Sequence, residues 1–72
     1  MKEKNIIGSK IKSLRKAKGL TQEELLSKLQ LEGLEIDRPM ISRIESRTRT
    51  LPDYEVKTIA KVLNVSIDEL FE

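Results

Sequence analysis

The sequence predicts an all-α domain, and three observations carry that expectation. Apolar residues recur at helical spacing along most of the chain. Tyr54 and Phe71 are the only aromatics and β-branched residues form few runs, which argues against sheet. Capping and stop signals divide the chain into five short segments. The 72 residues suit one domain, 1–72, with an ordered core expected over about 5–71. A domain this small hides only about 60% of the surface its unfolded chain exposes, so its few aliphatics must pack efficiently.

The first helix is expected from about Asn5 to Lys18. Ile7, Ile11 and Leu14 form its inward stripe, Arg15, Lys16 and Lys18 favour its negative end, and Gly19 suits its stop. Thr21 followed three places on by Glu24 is a capping box that opens a second helix, with Leu25 and Leu29 inward. Gly33 ends it near Leu31 or Glu32. Leu34 and Ile36 then fall in a loop, where two large aliphatics are expected to plug the core. Asp37 can help cap a third helix that begins at Arg38 or Pro39, because proline suits the first turn and restricts the residue before it. Ile41 and Ile44 face inward. The polar stretch SRTRTL is a loop. Pro52 and Asp53 begin a fourth helix with Val56, Ile59, Ala60 and Leu63 inward. Ser66 and Glu69 read as another capping box, opening a fifth helix from Ile67 to Phe71.

Composition excludes several classes of function. There is no cysteine and no histidine, which removes disulfides, thiolate metal sites, the commonest zinc ligand and the commonest general base. No metal site or cofactor is expected. Serines without histidine lack an activating base, and Glu23 and Glu24 point to different sides of their helix, so no enzyme is expected. No signal peptide or membrane-length apolar run stands out, which makes a cytoplasmic location the expectation. The net charge of +2 is unevenly placed: residues 1–20 carry +6, 21–37 carry −4, 38–50 carry +3 and 51–72 carry −3. Two basic segments around an acidic one suggest a molecule with a positive face. Arginines gathered at 38–49 shift the reading from ordinary solvated surface toward a polyanion partner.

The stretches IKSLRKAKGLTQEEL, ISRIES and IAKVLNVSIDELF arrive in an order that resembles the phage-repressor-like, or Cro-like, helix-turn-helix DNA-binding domains, the xenobiotic-response-element type. The resemblance spans about residues 6–71. It implies a compact five-helix, lambda-repressor-like domain in which helices 2 and 3 form the helix-turn-helix and helix 3 enters the major groove. It places Arg38, Met40, Ser42 and Arg43 at base-reading positions. Gln22 falls where relatives touch a phosphate or brace the reading helix. Arg47 and Arg49 lie in the following loop, where a DNA-backbone contact is expected. Arg15 and Glu45 match a pair that joins helices 1 and 3 in relatives.

The sequence departs from that pattern in three places. The connection QLEGLEIDRPM is eleven residues, longer than in relatives, and Gln30 stands where a turn glycine is usual. Leu26 replaces a small residue. Arg47 occupies a position where glycine often closes helix 3, so either the helix ends without that cap or a left-handed arginine costs roughly 1 kcal/mol.

The resemblance implies a small, sequence-specific transcriptional regulator, expected to be a repressor or a phage or mobile-element regulator. Reading two half-sites about 34 Å apart calls for a homodimer on DNA, with Ile67, Leu70 and Phe71 as candidates for its contact unless they are internal. No small-molecule ligand is evident. The alternative is a protein-interaction module such as the antitoxin of a toxin pair. RNA binding by base stacking is disfavoured, since it requires exposed aromatic platforms.

Overall fold

The computed structural model describes residues 3–72. Its order is α1 Gly8–Ala17, α2 Gln22–Leu31, α3 Arg38–Glu45, α4 Asp53–Leu63 and α5 Ile67–Leu70, with no strand among the described residues. Helix α3 packs on α1 and α2, while α4 packs on α1, α2 and α5. Their apolar stripes meet in one core. Ile11, Leu25, Leu29, Ile41, Ile44, Ile59, Leu63 and Leu70 are fully buried within it. Burying one such side chain stabilises by about 1.5–3 kcal/mol, so these eight residues dominate the favourable side of the balance.

The helix boundaries follow from local chemistry. Helix α1 starts at Gly8 rather than Asn5, because the Asn5 Oδ1 accepts from the Gly8 N–H at 2.7 Å. Asn5 therefore stands outside the helix, as capping residues do. Thr21 and Glu24 form the full capping box of α2: the Glu24 N–H donates to Thr21 Oγ1 at 3.0 Å and the Thr21 N–H to Glu24 Oε1 at 2.8 Å. These bonds hold the Glu24 carboxyl below the usual carboxylate range, the bond from the Thr21 backbone being the larger cause. Asp37 caps α3 by accepting from the Met40 N–H at 3.0 Å. At α5 only half of the expected box forms: the Ser66 hydroxyl accepts from the Glu69 N–H at 3.1 Å, with no return bond from Glu69.

Four helices end on residues in the left-handed region: Gly19, Gly33, Arg47 and Asn64. At α3 the Arg47 N–H donates to the Ile44 carbonyl and the Thr48 N–H to the Arg43 carbonyl, the paired bonds of a Schellman turn. Arg47 therefore keeps the glycine-type cap despite its Cβ, with φ 66°.

The longer connection between α2 and α3 is ordered by its own residues. Helix α2 continues through Gln30, whose side-chain amide donates across the turn to the Ile36 carbonyl at 3.0 Å. Ile36 is buried, and Leu34 packs against the core in part. Leu26 also packs there in part.

Candidate nucleic-acid interface

Burial of Ile41, Ile44 and Glu45 fixes which side of α3 looks outward. That side carries Arg38, Ser42 and Arg43, all exposed, with Met40 half-buried against the core. Arg47 is exposed just beyond the helix end. Among the described residues, the Arg43 and Arg47 guanidiniums form no hydrogen bond or ion pair with another residue's side chain. The outward face thus presents two arginines with free forks.

A buried polar relay sets the pose of α3. Arg15 on α1 donates from Nε to Glu45 Oε2 at 2.7 Å and from NH2 to Glu45 Oε1 at 3.1 Å, while its NH1 donates to the Leu20 carbonyl at 2.7 Å. Their side chains are only 8% and 3% exposed. The Gln22 amide nitrogen donates to Glu45 Oε1 at 3.0 Å, and its oxygen accepts from Arg38 Nε at 3.0 Å. A carboxylate can only accept and a guanidinium can only donate, so this orientation of the amide is the one its neighbours require. Gln22 therefore braces the first residue of α3. The relay runs without a break from the interior to the outward face.

The region after α3 is held from below by the N-terminal segment. Asn5 Nδ2 donates to the Ile44 carbonyl at 3.2 Å and to the Arg49 carbonyl at 2.8 Å, and the Lys4 N–H donates to the Arg47 carbonyl at 2.8 Å. Gly8 lies so close that a Cβ there would collide with the Ile44 carbonyl oxygen. Sequence reasoning missed Asn5 as a positioning residue. Its available signal was an asparagine three places before a glycine at a helix start.

Arg49 departs from its expected place. Its NH1 and NH2 donate to Glu55 Oε1 and Oε2 at 2.6 and 3.1 Å, and NH1 also donates to the Thr50 carbonyl. Glu55 is buried, and its carboxylate raises the pKa of Arg49 further above its ordinary value. Arg49 is a clamp between the loop and α4, not a free cation awaiting phosphate. Of the three residues weighed for contact with a second copy, Leu70 proves internal and fully buried, while Ile67 and Phe71 are exposed.

A family model described as helix-turn-helix matches residues 11–70. The chain belongs to the helix-turn-helix family. Two solved structures agree with that membership. The restriction-modification controller protein C.AhdI from Aeromonas hydrophila is 29% identical, covers 90% of this chain and 91% of its own, and superposes with a TM-score of 0.79. The master regulator for biofilm formation SinR, solved in complex with DNA, is 31% identical, covers 93% and 100%, and superposes with a TM-score of 0.77. Among curated proteins none matches. No described helix of this helix-turn-helix chain is long and apolar enough to cross a membrane.

Proposed function

We propose that this helix-turn-helix regulator reads double-stranded DNA by placing α3 in the major groove, with Arg43 and Arg38 donating to base edges. One observation carries this reading: the outward face of a helix pinned by a buried ion pair ends in guanidiniums, and that of Arg43 has no side-chain partner. A helix held at a fixed height brings a free guanidinium to the base edges, where it can donate two parallel bonds to guanine. Ser42 lies beside Arg43 and can donate to or accept from a base. Met40 offers its exposed part to a thymine methyl. Arg47 serves the phosphate backbone, where charge matters more than direction. Gln22 serves chiefly as a brace, its amide being occupied on both sides. Arg49 leaves the DNA-backbone set, because Glu55 engages its fork.

The regulator acts as a repressor by occupying its site, and does so as a homodimer. Ile6, Ile67 and Phe71 expose 65%, 44% and 55% of their surface, and Ile6, Leu51, Val56 and Phe71 line a hollow of about 170 Å³. Such apolar surface on a small domain supports self-association. Selection of bound sites from a random duplex pool tests the whole reading. It should return an inverted repeat with half-sites about one helical turn apart. A pool that enriches no sequence would overturn it.

A further inference from the structure

The relay described above does not stop at Arg38. On the far side of that guanidinium, NH1 lies 3.2 Å from Glu23 Oε1, while Nε is already taken by Gln22. Arg38 is thus held from two directions by consecutive residues of α2. The Glu23 side chain is 79% exposed and that of Arg38 is 50% exposed, so the pair sits on the surface beside the reading face. Glu23 contributes nothing to the core. A carboxylate in the first turn of α2 also opposes any phosphate that approaches the same helix end.

We propose that Glu23 is a specificity-determining residue, whose carboxylate keeps Arg38 off the phosphate backbone and so suppresses binding to unrelated duplexes. The inference rests on the assignment of Arg38 to base reading. A long cationic side chain without a restraint turns to the nearest phosphate, which every sequence supplies. Gln22 fixes one edge of Arg38 by a hydrogen bond, and Glu23 faces NH1 as an ion-pair partner with a charge of the same sign as phosphate. Swinging to the backbone then forfeits the ion pair. Meeting a base acceptor from the held pose leaves the pair in place. Sequence-independent binding is penalised, and binding to the correct site is not.

The test uses the unaltered chain, Glu23→Gln, Arg38→Ala and the double variant, titrated against a site selected from a random pool and against a scrambled duplex at several salt concentrations. Glu23→Gln should tighten binding to the scrambled duplex about threefold more than to the selected one, the scale of an exposed ion pair. Its salt slope on the scrambled duplex should steepen by about one phosphate contact. Both effects should vanish when Arg38 is alanine. Equal tightening on the two duplexes, or the same changes in the Arg38→Ala background, would mean that Glu23 merely repels DNA, and overturns the proposal. An Arg38→Ala protein whose preference for the selected site is unchanged overturns the reading of Arg38 itself, and with it the role of Glu23.

Discussion

Arg15 and Glu45 form a two-pronged ion pair, at 2.7 and 3.1 Å, between the first and third helices of the domain. Both residues are buried, and two further contacts engage them: the Leu20 carbonyl accepts from Arg15 and the Gln22 amide donates to Glu45. Removing one partner leaves a charge without its counter-ion in a poorly solvated place. Arg15→Ala and Glu45→Ala should therefore each lower stability by about 3–5 kcal/mol, with a double-mutant cycle showing strong coupling. Denaturant unfolding of the three variants measures this. Simple additivity would show that the pair holds nothing in place.

Arg49 should behave as a stability residue. Arg49→Ala leaves the buried Glu55 carboxylate without its main partner, and we expect a loss of about 1–3 kcal/mol, less than for Arg15 because Arg49 is itself partly solvated. Its salt slope on DNA should stay near that of the unaltered chain, once titrations are run under conditions where the variant is folded. A slope shallower by about one would return Arg49 to the backbone contacts.

Arg47 should separate stability from binding. At φ 66° its side chain opposes the turn it makes, so Arg47→Gly should raise stability by about 1 kcal/mol. The same substitution removes a cation from the DNA face and should reduce the salt slope by about one on every duplex. Thermal unfolding and salt titrations on one preparation read both. If stability falls, the exposed side chain does more for the fold than its backbone strain costs.

Gly8 should tolerate no side chain. In Gly8→Ala the new Cβ meets the backbone of α3 at Ile44, not a flexible side-chain end, so the helices must separate. The expected loss is at least the about 1–3 kcal/mol typical of overpacking. Unfolding midpoints of Gly8→Ala and of a neighbouring exposed control, Ser9→Ala, provide the comparison. Equal midpoints would place α1 and α3 further apart than described.

Acid should loosen the start of α2. The Glu24 carboxyl is lowered in the folded state, so its contribution is present above the ordinary carboxylate range and is lost as pH falls through the lowered value. Glu24→Gln removes the charge that these bonds favour while keeping the length of the side chain. Unfolding midpoints followed from neutral to acid pH should therefore converge for the two proteins at low pH. A gap that stays constant down to the acid limb would exclude the carboxylate as its origin.

Much of this was legible in the sequence because the relevant signals are local. Thr21 with Glu24, Asp37 before Pro39 and the glycines at 19 and 33 mark helix ends through bonds that span only a few residues. Arg15 and Glu45 were paired through resemblance to a family, since nothing in a spacing of thirty residues implies contact. What stayed hidden depends on how helices are set against each other. Arg49 and Glu55 straddle a loop and a helix start, so their meeting is decided by the path of the loop. Asn5 looked like the first residue of a helix because its partners Ile44 and Arg49 lie far along the chain. At α5 only four residues set the phase of the helix, too few to tell the buried Leu70 from the exposed Ile67 and Phe71. Helix α2 runs through Gln30 to Leu31 as its spacing predicts, and the hidden part is the long-range bond by which the Gln30 amide closes the turn.

Reading of sequence by α3 stands or falls at Arg43. Arg43 is exposed on that helix, two residues past the buried Ile41 and one before the buried Ile44, so its loss should leave the core intact. Arg43→Ala should be titrated against a selected site, against single-base variants of that site and against a scrambled duplex. The expected result is a loss of about 1–3 kcal/mol on the selected site, with preference relaxed at one base position per half-site and little change on the scrambled duplex. Equal weakening on all duplexes would contradict it, and would reduce Arg43 to one more cation on the surface.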